Sequence, residues 1–357
     1  MKVVLSLGGS VIGENPSPQR LKDLAAALET LRNAGDEVHV VVGGGPLKNQ
    51  FGEIARSAGL SEYTADVLGI QLTRIYARLI AGVIGDGASG FIPESVEEAV
   101  RARSGGKTVV MGGTEAGHST TAVAALFAEA IGAPLLLKLT DVNGVYSQNP
   151  KKFPNAILYD EVTYGELTQI LGTPEFAAGT YDVLDSVALG VLGRSSIDTV
   201  YFEGASTMGN IVRARSHSLG TLITSDARAN AMRKTLEDVL RSLGLSVSSG
   251  TPTERGALPT RCVVGSTTGF RVSVTYRLSS WTGTSAVEDA VRAAALAKAD
   301  IPVLVAGGFS PGAVDLAQKK EVRRFSLGHY EALRHQGSKT RPATGPSSWT
   351  ELFSAVD

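Results

Sequence analysis

TVVMGGTEAGHSTTAVAALFAEAIGAPLLLKLTDVNGVYSQNPKK, residues 108–152, reads without interruption as strand, glycine-rich loop, helix, strand and a second polar loop. Val109, Val110 and Met111 form a short apolar run, and Gly112, Gly113 and Gly117 then permit backbone conformations that a Cβ would block. Ser119, Thr120 and Thr121 stand where the helix should begin. The loop thus offers hydroxyls, free N–H groups and the positive end of a helix dipole, an anion site whose expected guest is a phosphate. A plain βα turn capped by Ser or Thr would look similar if it stood alone. It does not: Leu135 to Leu137 is a buried-strand run, and Lys138, Thr140, Asp141, Asn143, Gly144 and Tyr146 gather at its carboxyl end. Open α/β sheets place their ligands there.

Upstream, Val3 to Leu7 is a buried-strand pattern running into Gly8, Gly9 and Ser10, and Val38 to Val42 is another ending in Gly43, Gly44, Gly45 and Pro46. Leu21 to Leu31 between them has helical spacing. Three strands that end in GGS, GGG and GGT within alternating β and α segments predict converging loops of one parallel sheet. Phe51–Ala58, Tyr63–Ala81 and Glu94–Arg103 read as amphipathic helices. In the second of them Gln71, Thr73 and Arg74 read as a solvated face, and Asp66 stands apart as a candidate ligand residue. Downstream, Thr163–Leu171 and a segment from Gly179 to Leu192 that includes Asp182 and Asp185 read as helices. Thr199–Phe202 reads as a strand, Asn210–Arg215 as a short helix, and Thr221–Ile223 as the closing edge strand of a first domain spanning 1–225.

Composition bounds the function. The chain has 357 residues, 43% of them hydrophobic, enough for two domains with real cores. The start MKVVLSLGGS is a strand entering glycines, without an apolar h-region, and no uninterrupted 18-residue apolar run is evident, so a cytoplasmic protein with no membrane partner is expected. Cys262 is the only cysteine, which excludes an intrachain disulfide and a cysteine-based zinc cluster, and the five histidines lack metal-ligand spacing. No protein metal site is expected. Residues 1–225 carry 17 basic and 23 acidic side chains, whereas 226–357 carry 17 and 12. This asymmetry leaves room for an anionic partner of the second part, beside the simpler reading of a solvated face.

Together VVLSLGGSV, VVVGGGPL, SEYTADVLGIQLTR, VMGGTEAGHSTTAVAALFAEA, LTDVNGVYSQNPKK and AGTYDVLDSVA resemble the amino acid kinase family and, within it, the uridylate kinases of archaeal type, in order and spacing. The resemblance covers about residues 1–225, including the ending GNIVRARSHSLGTLIT. It implies a three-layer αβα sandwich with a mainly parallel central sheet, ATP-dependent phosphorylation of UMP in pyrimidine nucleotide synthesis, ATP with Mg²⁺, and a homo-oligomer. Pairing through the helix from Asp66 to Leu79, leading to a hexamer, belongs to what the family implies.

Carried over residue by residue, the resemblance implies that Gly9, Ser10 and Gly45 hold the ATP phosphates, with Thr140, Tyr146 and Asn149 on the donor side. Gly44, Asp66, Thr114, Gly117, His118, Ser119 and Thr120 would hold UMP, Asp66 on the ribose and the loop around phosphate and base. Phosphoryl transfer needs positioning and charge neutralisation more than covalent chemistry. The charge side departs from the family pattern. Its first-strand lysine is Ser6, its arginine after GGG is Asn49 with Lys48 adjacent, and its V-D-G is Val142-Asn143-Gly144, with Asp141 retained. The aspartate before proline is Asn149, and the lysine after Asp185 is Gly190. Lys138, Asp141 and Lys48 are therefore the candidate catalytic residues, Lys138 as compensating transition-state cation. These replacements keep open a second reading: a nucleotide-binding or regulatory protein that retains the kinase shell and meets nucleic acid or a protein through its C-terminal part.

Residues 226–335 read as a second, smaller α/β domain: helix Ala229–Leu243, strands Leu245–Val247, Cys262–Val264 and Phe270–Arg277, helix Ser285–Ala299, strand Ile301–Ala306 and a further helix. They faintly resemble the Mrr-type restriction-endonuclease-like fold in degenerate form. No Asp or Glu lies between Arg261 and Arg277, so a metal-dependent nuclease is not expected. Arg271, Arg277, Lys319, Lys320, Arg323 and Arg324 are candidate phosphate contacts. Residues 336–357, rich in Gly, Ser, Pro and Thr to Ser348, read as a flexible tail.

Overall fold

β1 (Lys2–Leu7), β2 (Glu37–Val42) and β4 (Leu135–Thr140) are apolar almost throughout because both faces of their sheet are covered. They lie in a computed structural model that describes residues 1–13, 16–172, 183–204, 208–249, 254–255, 258–259, 261–267, 269–279 and 282–326. The chain divides into two compact units, Met1–Ser225 and Asp226 onward. The first unit holds a seven-stranded sheet in the order β3-β2-β1-β4-β6-β7-β5, with β3 (Val110–Met111), β5 (Glu161–Thr163), β6 (Asp198–Glu203) and β7 (Thr221–Thr224). Every pairing is parallel except that of β6 with β7.

Strand order fixes where the helices go. The chain steps from β1 through α1 (Gly9–Ile12) and α2 (Pro18–Asn33) to β2, and through α3 (Gly45–Ser57), α4 (Glu62–Ile84) and α5 (Val96–Ala102) to β3. It then jumps back across both strands through α6 (Thr120–Ile131) to β4. With right-handed crossovers, that reversal puts α6 on the face opposite α2 and α4. α4 accordingly packs with α2, and α6 with the helix that leads to β6, α8 (Ser186–Arg194), which follows α7 (Tyr164–Leu171); the short α9 (Asn210–Arg215) joins β6 to β7. The point of reversal lies between β1 and β4, whose carboxyl ends are laced together by the Gly8 N–H donating to the Leu139 carbonyl at 3.0 Å.

Several sequence expectations need correction. α3 begins at Gly45, six residues before the predicted Phe51, because Pro46 presets the first turn. β7 is not the closing edge: it lies between β6 and the three-residue β5. α8 begins at Ser186 with Asp185 as its N-cap; the predicted start from Gly179, with Thr180 to Asp182, lies outside the described residues. Thr73 and Arg74 are not solvated either, as shown below. α4 is also long and apolar enough, by length and composition, to cross a membrane, although it packs with α2, α3, β2 and β3.

The second unit builds a five-stranded sheet in the order β14-β13-β12-β11-β8 from β8 (Ser246–Ser249), β11 (Cys262–Thr267), β12 (Phe270–Tyr276), β13 (Ile301–Ala306) and β14 (Arg323–Ser326). A two-stranded ladder joins β9 (Glu254–Arg255) to β10 (Leu258–Pro259). β8, β11 and β12 pair antiparallel; β12, β13 and β14 pair parallel. α11 (Thr284–Ala297) and α12 (Pro311–Lys319) meet Leu304 of β13 through Ala286, Ala290, Ala313 and Ala317, and α10 (Asp226–Ser242) packs on β8 and β11. The charged run of β14 gave no apolar signal. Arg277 is 7% exposed and pairs with buried Asp289 at 2.5 Å, so it is a core ion pair and not a surface phosphate contact. Burial pushes the Cys262 thiol up to about 11, which keeps it protonated and inert at neutral pH. The proposed tail, 336–357, lies outside the described residues.

Candidate active site

The loops after β1 and β2 touch backbone to backbone. A Cβ on Gly9 would lie 2.2 Å from the Gly45 nitrogen, and one on Gly43 would lie 2.8 Å from the Gly9 nitrogen. Gly45 has φ +64°, a conformation that disfavours a side chain. The glycines thus serve the close approach of two loops at the switch point, and Gly9, exposed Ser10, Gly44 and Gly45 come together there.

Beside them stands Lys138. β1 and β4 pair in register with Ser6 opposite Lys138, and Ser6 is 1% exposed. The Lys138 ammonium donates to Thr121 Oγ1 at 2.7 Å and to Ser6 Oγ at 3.4 Å. One cation therefore bridges the end of the first strand and the first turn of α6. At that turn Ser119 Oγ accepts from the N–H groups of Thr121 and Ala122 at 3.1 and 3.0 Å, an N-cap worth about 1 kcal/mol. The same hydroxyl donates to Asp185, whose other oxygen caps α8 by accepting from the Val187 and Ala188 N–H groups at 3.0 Å each. Two helix N-termini converge on one carboxylate.

On the β3 side, Gly112 to Ser119 form a loop against α4. Gly117 N–H donates to Asp66 Oδ2 at 2.9 Å, and His118 N–H to the Glu115 carbonyl at 3.3 Å. Thr114, His118, Ser119 and Thr120 are partly exposed along this loop. Lys48, named from sequence as catalytic, reaches toward this side: its stem would meet a Cβ on Gly69 of α4 at 3.0 Å. Its ammonium has no hydrogen-bond partner among the described residues.

On the β4 side, Asp141 is exposed and its carboxylate pairs with Lys151. Partial burial pushes the Asp141 carboxyl up, but the Lys151 ammonium outweighs it and leaves the group below its ordinary value. Thr140 is buried and its hydroxyl donates to Asp141 at 3.3 Å. Tyr146 bridges to Leu158, and the loop is pinned by the Val145 N–H donating to Thr221 Oγ1 at 2.8 Å. Asn149 is buried, and its side chain accepts from the Lys151 N–H at 3.0 Å; it holds its own turn. The sequence reading placed Thr121 only at a helix start, missed Lys151, and took Thr73 for part of a solvated face. The last was legible in principle, because Asp66 and Thr73 are seven positions apart, two helical turns, and so share a face.

This geometry, glycine loops at a switch point with a cation beside them, defines a phosphate-handling α/β protein. Residues 1–201 match the amino acid kinase family, and the chain belongs to it. It is 39% identical to the uridylate kinase of Methanothermobacter thermautotrophicus over 223 residues, 62% of this chain and 99% of that one. It is 35% identical to the uridylate kinase of Methanobrevibacter smithii, over 63% of this chain and 100% of that one. The solved uridylate kinase of Archaeoglobus fulgidus is 38% identical with a TM-score of 0.57, covering 63% of this chain and all of that one.

Proposed function

We propose that the protein is a cytoplasmic nucleoside monophosphate kinase that transfers the γ-phosphoryl group of ATP to UMP. The observation that carries this reading is the Lys138 ammonium, held between Ser6 and Thr121 where the two sets of loops meet. Charge spreading over the transferred phosphoryl group is stabilised best by a fixed cation at that junction. Gly9, Ser10 and Gly45 would cradle the donor phosphates, with Thr140 and Tyr146 toward the nucleoside. Asp66 and the loop from Thr114 to Thr120 would take UMP.

Mg²⁺ fits as a passenger on ATP. The described residues contain no group of three or more His, Cys, Asp or Glu able to hold a metal unaided. A nucleotide-borne Mg²⁺ needs only one or two carboxylates besides water and phosphate, and Asp141 supplies one. The ion would neutralise charge between the phosphates.

We also propose self-association through the outward face of α4. Ile75, Leu79 and Val83, at helical spacing, are 59%, 41% and 37% exposed, and Phe51 and Ile54 of α3 are 43% and 63% exposed. An apolar stripe of this length suits a second copy of itself.

Coupled ADP release with UMP, CMP or dUMP tests the activity. Turnover with UMP is expected, and none with any of the three at high enzyme concentration overturns the reading.

A further inference from the structure

The loop from Gly112 to Ser119 lies directly on α4 at Gly112 and Gly113, which bring no side chain of their own to the contact. A Cβ on Gly112 would sit 2.4 Å from Thr73 Oγ1 and 2.8 Å from the Arg74 nitrogen. Thr73 is 2% exposed, so it does not face a nucleotide, and its hydroxyl is fully committed. The hydroxyl donates its single proton to the Ile70 carbonyl at 2.6 Å, which turns a lone pair toward the Gly113 N–H, accepted at 2.7 Å. The Gly113 carbonyl is held in turn by Arg74 Nε at 3.3 Å, and that guanidinium is braced by Glu94 at 2.7 Å. Gly113 is thus gripped through both its N–H and its carbonyl.

We infer that Thr73 is a positioning residue for the acceptor nucleotide. It sets the height and tilt of the loop that receives UMP, and through the loop the placing of Thr114 to Thr120. The inference rests on the proposed UMP kinase reading. Its chemistry is local: among the described residues the donor loops around Gly9 and Gly45 make no hydrogen bond to Thr73, so the effect falls on one substrate.

Thr73→Val keeps the shape and removes the hydroxyl, leaving the Gly113 N–H buried without its acceptor. The KM for UMP is expected to rise on the order of tenfold with the KM for ATP unchanged. Thr73→Ser, which keeps the hydroxyl, should restore it. Amide hydrogen exchange over residues 113–118 should quicken in Thr73→Val and not in Thr73→Ser. Should the valine variant fail to fold, Thr73→Ala carries the same expectation. A valine or alanine variant with wild-type UMP KM and wild-type exchange, or with equal rises in both KM values, overturns the inference. A wild type without turnover on UMP overturns the functional reading alone, and the exchange measurement then decides the role of Thr73.

Discussion

Lys138 gathers the charge demand of the proposed reaction into one side chain. The family pattern places a lysine on the first strand; here small, buried Ser6 faces Lys138 across the ladder, and the ammonium reaches over it. Lys138→Ala should therefore retain nucleotide binding while kcat falls about 10²–10³-fold, as when other transition-state charge contacts are removed. Single-turnover kinetics beside equilibrium nucleotide binding would read this, and an unchanged kcat would remove Lys138 from the chemistry. The lysine was legible in sequence as a charge at the end of a buried strand. Its contacts were not, because Thr121 lies 17 positions away and Ser6 132, and no local pattern reports which side chains a parallel register brings together. Asn149 is a similar case: its place in a motif suggested a ligand contact, and nothing in the sequence announced that its side chain accepts from the Lys151 N–H of its own turn.

Among the elements, the two glycine loops act as one. Gly9→Ala would drive a methyl to 2.2 Å from the Gly45 nitrogen, and backbone cannot yield as a flexible side chain can. Loss of ATP binding is expected together with a lowered unfolding midpoint; a variant that binds ATP normally would refute the close contact. Strand ends and loop chemistry were readable because buried parallel strands stop where glycines start. Helix starts and strand order were less so: glycine and proline masked the first turn of α3, and no local pattern sets β7 inside β5 in the sheet. A second expectation concerns α6 and α8, tied by Arg194 gripping Glu129 at 2.9 and 2.6 Å. That guanidinium, with help from the Ser195 hydroxyl, holds the Glu129 carboxyl down to about 2 against an ordinary 4.5. A lowered carboxyl stabilises the fold above its unfolded value and loses that contribution as pH falls toward the folded one. The thermal midpoint of the wild type should therefore drop more steeply from pH 5 to about 2 than that of Glu129→Gln, and parallel curves would show that the tie contributes nothing.

For the whole molecule, the comparisons cover the first unit, and the second stands outside them. Its excess of basic side chains was legible from composition, but the burial of Arg277 against Asp289 was not, since the partners lie twelve positions apart, one just after β12 and the other on α11. Removing Asp289 alone should destabilise the second unit by about 3–5 kcal/mol, because it takes a buried carboxylate away from a buried guanidinium. Denaturant unfolding of Asp289→Ala would measure this. The apolar stripe of α4 makes a separate expectation: light scattering should give a multiple of 37.2 kDa, and Ile75→Asp with Leu79→Asp should return it to one copy. A wild type that elutes as a single copy would refute the pairing.

α4 faces two ways. Its inner side holds the UMP-side loop through Asp66, Thr73 and Arg74, and its outer side carries Ile75, Leu79 and Val83. A rigid rod cannot be shifted on one side alone. If copies pair through the outer side and UMP takes the loop, as proposed, the two events are linked, and linkage is reciprocal: whatever factor association adds to UMP affinity, UMP adds to association. Protein concentration itself becomes an effector, so UMP titrations run on dilute and concentrated samples should give different apparent dissociation constants.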